Sequence, residues 1–279
     1  MKKRILCGLL SAALLACTMP AQAARTTVPV QIDGERLQAV SYLERGVTYV
    51  PMRTFLESLG DWSIWWDSGA GEAVSGSTSL RADPAADTVT IRGKSYTGKV
   101  WVENGRTYIP LRIVITALGG QVAWDRYMSG AAVTSPGAEH DASDLYWLSR
   151  IIHAEAQGEP LTGKTAVGNV VMNRVESTDF PSTIPGVIFD RVNGVQFQPT
   201  ANGAIFNTPS EKSLDAARQA LNGVKPVGES LYFYAPALSQ GAWITANRVY
   251  TPPSAATASI CKPGNLTFPR PAVTIMDTE

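Results

Sequence analysis

Along residues 144–160, DLYWLSRIIHAEAQGEP, apolar residues recur three and four apart, which predicts one amphipathic helix. Asp144 is placed at its N-cap, and Gly158 and Pro160 end it. Leu145, Leu148, Ile151, Ile152 and Glu155 fall on one stripe, so Glu155 lies on the apolar face. Burial there disfavours its charged form, and so does the negative end of the helix dipole. A carboxyl group kept protonated near neutral pH suits a general acid. The alternative is a structural ion pair with Arg150 or Arg174.

A second helix is expected from Thr162 to Val175, with Val167, Val170, Val171 and Val175 on its buried side. Residues 179–190 form a Pro-broken connection, and residues 193–207 an ordered polar loop. Thr208-Pro209-Ser210-Glu211 resembles a capping box opening a helix to Leu221, closed by Asn222-Gly223. Ser230 to Ala235 alternates as a strand with Tyr232 and Tyr234 on one face.

Upstream, the pattern repeats itself. Val47-Thr-Tyr-Val-Pro-Met-Arg53 matches Arg106-Thr-Tyr-Ile-Pro-Leu-Arg112, each followed by a short helical run and a strand ending in Trp66-Asp67 or Trp124-Asp125. Pro51 and Pro110 are placed in the first turn of each helix. Trp62, Trp65, Trp66 and Trp101 are expected to be core residues of this unit, with sugar stacking the alternative.

The apolar content of 44% and charged content of 17% describe a globular chain with a real core. Lys+Arg and Asp+Glu are 24 each, so removal of Lys2, Lys3 and Arg4 leaves 24 − 3 = 21 basic residues against 24 acidic. That balance offers no nucleic-acid footprint. Residues 1–23 read as a signal peptide: a basic start, an apolar run and Ala21-Gln22-Ala23 at the cleavage site. A secreted protein is expected, with no stable membrane insertion after cleavage. Cys7 and Cys17 leave with the signal, so Cys261 has no partner for a disulfide within the chain. His140 and His153 are the only histidines, too few for a His/Cys zinc site, and neither metal nor cofactor is expected.

The duplicated stretch, residues 25–136, resembles the copper amine oxidase N-terminal-like domain of secreted bacterial proteins, which implies an accessory, wall-associating role. Residues 137–143 read as a linker. Then IIHAEAQGEP, KTAVGNVVMNRVESTDFPSTIPGVIF, VQFQP, LYFYAPA and Trp243-Ile244 follow in the order of the SleB family of cell-wall hydrolases, which includes spore cortex-lytic enzymes. That resemblance covers residues 144–250. It implies a mainly helical, lysozyme-like fold with a small sheet, hence an α+β protein overall. It implies a peptidoglycan glycan substrate cleaved between N-acetylmuramic acid and N-acetylglucosamine by lytic transglycosylation, in the cell wall or spore cortex. The family's catalytic Glu falls at Glu155. Phe197, Gln198, Tyr232, Tyr234 and Trp243 are the substrate-binding candidates, with core packing the equal alternative for each aromatic. Glu159, Asp179 and Asp190 are the carboxylates available if a second were needed.

Residues 251–279 depart from the family, whose members continue into a strand with Gly-x-His-x-Phe. Codons for Thr251 to Cys261 can be chosen so that a shifted frame restores that ending. The expectation is an atypical tail without periodicity, read as an out-of-frame translation, with a natural disordered tail as the alternative.

Overall fold

The computed structural model describes residues 25–192, 194–234, 248–251 and 259–263. Two apolar cores organise them. One, around Val50, Phe55, Leu80, Ile109 and Ile115, fills the duplicated region; the other, around Trp147, Leu148, Ile151, Val170 and Ile188, fills the helical region.

In the duplicated region a five-stranded antiparallel sheet runs in the order Thr26–Val28, Ser41–Glu44, Val47–Pro51, Arg106–Pro110, Trp101–Glu103. Its centre pairs Tyr49 with Pro110, Val50 with Ile109, and Pro51 with Tyr108. Val50 and Ile109 are equivalent residues of the two copies, so a pseudo-twofold axis passes between them. Each central strand leads into a short helix, α1 (Met52–Glu57) and α2 (Leu111–Leu118). Pro51 and Pro110 are the extended residues just before these helices, with φ of −65° and −71°, one position earlier than expected.

Each copy then forms a further sheet. The first is a five-stranded meander from Ser63–Asp67 through Ala70–Ser75, Thr78–Asp83 and Thr88–Ile91 to Lys94–Thr97. The second is four-stranded, in the order Gln121–Asp125, Gly130–Thr134, Val30–Ile32, Glu35–Arg36. Val30–Ile32 pairs parallel with Gly130–Thr134, so the start of the duplicated region completes its end.

The helical region comprises α3 (Ala142–Glu155), α4 (Leu161–Glu176), α5 (Ile184–Ile188), α6 (Pro199–Asn202) and α7 (Glu211–Leu221), with a 3-10 turn at Ala204–Phe206. Helix α3 differs from the expected amphipathic surface helix. Besides its apolar stripe it buries Tyr146, Trp147, Ser149 and Arg150, because α4, α5 and α7 cover one side and the duplicated region covers the rest. Its cap also moves. Asp141, not Asp144, accepts from the backbone N–H groups of Ser143 and Asp144, at 2.8 and 3.2 Å. At α7 the cap is Ser210 rather than Thr208, accepting from Ser213 N at 3.3 Å.

A small antiparallel sheet closes the described chain, with Ser259–Pro263 between Tyr232–Tyr234 and Arg248–Thr251. The tail was expected to hold no regular element, yet it supplies the central strand of this sheet. The backbone groups of Tyr232–Tyr234 thereby find partners.

Candidate active site

Helix α3 delivers Glu155 as its last residue, and its stripe of Leu148, Ile151 and Ile152 is fully buried. Glu155 is itself 7% exposed, and its Oε1 is buried with no hydrogen-bond partner among the described residues. Burial pushes its pKa up to about 8, while the guanidinium of Arg174 pulls the other way. The helix C-terminus adds a further unfavourable field for a negative charge. At neutral pH the carboxyl group is therefore protonated.

The turn after Glu155 is held by a residue that spacing alone did not reveal. Lys164, 2% exposed on the first turns of α4, donates through Nζ to the carbonyl oxygens of Ala156 and Gln157, the latter at 3.0 Å. A cation on carbonyls beyond a helix end satisfies groups that the helix leaves orphaned. Lys164 stands three residues before Val167, on the face expected to be buried, and that was the available signal.

Arg174, near the end of α4, is fully buried. Its Nε donates to Leu231 O at 2.8 Å, and the rings of Phe180, Phe197 and Tyr232 lie 5.0, 5.2 and 5.3 Å from its Cζ. Burial lowers its pKa to about 10, against the pull of Tyr232, Asp190 and Glu155, so it remains a cation at pH 7. Among the described residues both of its Nη atoms lack a hydrogen-bond partner.

Two of the substrate-binding candidates pack in this core. Phe197 is 0% and Tyr232 8% exposed, and both face Arg174. A buried ring has no face to offer a sugar; these two enclose the cation instead. Gln198 is exposed beside them, just ahead of α6. Tyr234 is described only through its strand pairing, and Trp243 lies outside the described residues.

The remaining candidates separate cleanly. Arg150 does not pair with Glu155: its guanidinium lies 3.5 Å from the Tyr146 ring centroid and donates to Gly34 O at 3.4 Å. Asn173, beside Arg174 on α4, donates through Nδ2 to Gly228 O and Ser230 O, both at 2.8 Å. His153 sits with Nδ1 3.4 Å from Ser210 N and Ser213 Oγ, and burial lowers its pKa, with Lys164 and Arg150 adding to the effect. Asp190 is buried, accepts from Val192 N at 3.0 Å, and bears electrostatically on Arg174. Asp179 is exposed. Among the described residues the charge that bears on Glu155 is Arg174, not a carboxylate.

The molecule is thus an α+β protein in which a duplicated β-rich domain precedes a helical domain ending in a small sheet. Residues 25–131 match the Copper amine oxidase N-terminal domain family, and residues 158–253 match the Cell Wall Hydrolase family. The chain thus joins a region matched by the Cell Wall Hydrolase family to a preceding region matched by the Copper amine oxidase N-terminal domain family. Glu155 lies just ahead of the matched hydrolase segment. A spore cortex-lytic enzyme of Bacillus cereus is 36% identical over 105 residues, 38% of this chain and 39% of that protein. The spore cortex-lytic enzyme of Bacillus subtilis is 34% identical over 119 residues, 43% of this chain and 38% of that protein. The chain therefore spans about two fifths of the length of these relatives. The catalytic domain of the germination-specific lytic transglycosylase SleB of Bacillus anthracis is 33% identical. It covers 44% of this chain and 98% of that structure, with a TM-score of 0.40. No helix among the described residues is long and apolar enough to cross a membrane.

Proposed function

We propose that this protein is an exported enzyme that cleaves the glycan strands of peptidoglycan at the N-acetylmuramic acid–N-acetylglucosamine bond, with Glu155 as general acid and then base. The observation that carries the reading is a buried, protonated carboxyl group at the end of α3, with Arg174 as its charged neighbour. The likeness of the second domain to spore cortex-lytic enzymes supports the substrate class.

The Glu155 proton passes to the glycosidic oxygen as the bond from C1 of the muramic residue breaks. The resulting carboxylate takes the proton of the muramic C6 hydroxyl, whose oxygen attacks C1 and closes a 1,6-anhydro ring. The leaving sugar keeps the first proton, and no water is consumed. One carboxylate suffices, which fits a site where, among the described residues, Arg174 and not a second carboxylate acts on Glu155. Cleavage in the wall or spore cortex follows from this reading.

Digestion of purified sacculi by the parent and by Glu155→Gln tests it. Anhydromuropeptides from the parent, reduced at least about 1,000-fold in the variant, support lytic transglycosylation. Reducing ends would indicate hydrolysis instead. Binding without any product from the parent would make the chain a wall-binding protein with an inactive hydrolase domain.

A further inference from the structure

The duplicated domain carries two clefts related by its pseudo-twofold axis, and neither belongs to the site around Glu155. One, of about 430 Å3, is walled by Pro110, Arg112, Val122 and Trp124 of the second copy, with Val47 and Thr48 of the first across from them. The other, of about 210 Å3, is walled by Pro51, Arg53, Ile64 and Trp66 of the first copy, with Arg106 and Thr107 of the second. Each cleft thus joins the helix start of one copy to the hairpin of the other. The hairpin tips, Arg45-Gly46 and Asn104-Gly105, have positive φ at both residues (51° and 81°, 51° and 72°), the requirement of tight two-residue turns.

Three features recur in both clefts. Trp66 and Trp124 are 53% and 49% exposed with both domains in place, and Trp65 beside the smaller cleft is 46% exposed. Trp65 and Trp66 were expected in the core, and the structure puts them outside it. An exposed tryptophan kept at the same place in two copies is not explained by packing. Secondly, the Arg at each helix start is fixed by one bond to a strand carbonyl: Arg53 Nη2 to Ile64 O at 2.9 Å, Arg112 Nη1 to Val122 O at 3.1 Å. Thirdly, the charged side chains lining the clefts are all basic: Arg112 in one, Arg53 and Arg106 in the other. Arg53 meets Glu57 at 3.5 Å along α1.

We propose that these two clefts are glycan-binding subsites for peptidoglycan, the indoles of Trp66 and Trp124 taking sugar rings and the arginines taking carboxylates that the strand carries. A flat apolar face with a neighbouring cation matches an amino-sugar polymer that bears carboxylates. A repeating ligand on two linked sites gains avidity without any new contact. The proposal rests on the substrate class argued above, not on the mechanism.

The test uses the full chain with Glu155→Gln as parent, cosedimented with purified sacculi and competed with soluble disaccharide-peptide fragments. Trp66→Ala with Trp124→Ala is expected to weaken retention at least about 30-fold, and either alone about fivefold. Trp66→Phe with Trp124→Phe stays within about threefold, because a ring face remains. Independently, Val47→Glu with Arg106→Glu, at exposed equivalent positions, is expected to weaken retention about tenfold or more by repelling carboxylates. Melting temperatures report that each variant is folded. Retention within about twofold of the parent in both the Trp→Ala pair and the Val47→Glu/Arg106→Glu pair overturns the proposal, and so does failure of the soluble fragments to compete. Because every variant is compared on the same Glu155→Gln background, any residual turnover is common to all of them, so activity surviving in Glu155→Gln would remove the mechanism and leave the comparison of retention standing.

Discussion

At the scale of single residues, two ionisable groups set the chemistry. Glu155 is held at about 8 by burial, and Arg174 works against that shift. A rate that needs a proton donor falls as pH rises through about 8, so the descending limb of the kcat/KM profile belongs there. Arg174→Met removes the charge favouring the carboxylate, and the limb is expected to move to higher pH; movement to lower pH would reject the assignment. Stability has its own sign. The folded pKa lies above the unfolded one, so the group's contribution is full below about 4.5 and is lost as pH rises to about 8. Glu155→Gln escapes that loss. Urea unfolding should show it more stable than the parent by roughly 2–4 kcal/mol at pH 8, and nearly equal to it at pH 4.5.

At the scale of elements, the end of α3 depends on α4. Lys164 satisfies two carbonyl oxygens behind Glu155. Lys164→Met leaves both orphaned, and we expect a loss of about 1–3 kcal/mol in unfolding free energy. Turnover should fall with it, because the Glu155 turn loses its tether; an unchanged kcat would mean that the tether is only structural. At the other end of the helix, burial and the neighbouring Asp141 raise the pKa of Asp144 to about 6. Its ionisation therefore weakens the fold as pH rises from about 4 to 6. Asp144→Asn should gain about 1–2 kcal/mol at pH 7 after discounting for partial exposure, with the gain gone near pH 4. The apolar stripe and the position of Glu155 were legible because helical spacing is local. The start of the helix was not, because Thr134 Oγ1 accepts from Ala142 N at 3.1 Å and fixes the first turn from another domain. Likewise the sequence left Phe197 and Tyr232 open between cleft and core, because Arg174, remote from both in sequence, is the group their rings pack on. The repeat was legible from its motif, but the exposure of its Trp residues was not, since alternation in a short strand does not say which side a neighbouring sheet covers.

At the scale of the whole molecule, the two domains are joined by more than the segment at 137–143. Trp-Asp closes a strand in both copies of the repeat, but Asp67 is exposed whereas Asp125 is buried. Asp125 Oδ1 accepts from Tyr127 N and Met128 N at 2.9 and 3.0 Å. Its Oδ2 accepts from Ser143 Oγ at 3.0 Å and Trp147 Nε1 at 2.6 Å, both on α3. The turn it braces enters the second core: Met128 belongs to that cluster, and the Tyr127 ring stacks on Phe189 at 4.2 Å. Leu145 packs so closely on Gly34 that a Cβ there would lie 2.9 Å from its Cγ. Helix α3 is therefore fixed by the first domain at its start and by Lys164 beyond its end, with Glu155 between. Asp125→Ala strands two backbone donors and two side-chain donors at this junction and should cost about 2–4 kcal/mol. Buried groups shared by two cores make them unfold together, so the parent should melt in one calorimetric transition and the variant in two. Trp147, buried at the junction, offers a second reading, since its fluorescence should report the loss in the lower transition. A variant that still melts in one transition, shifted by less than about 1 °C, would show that the domains are coupled by something other than Asp125.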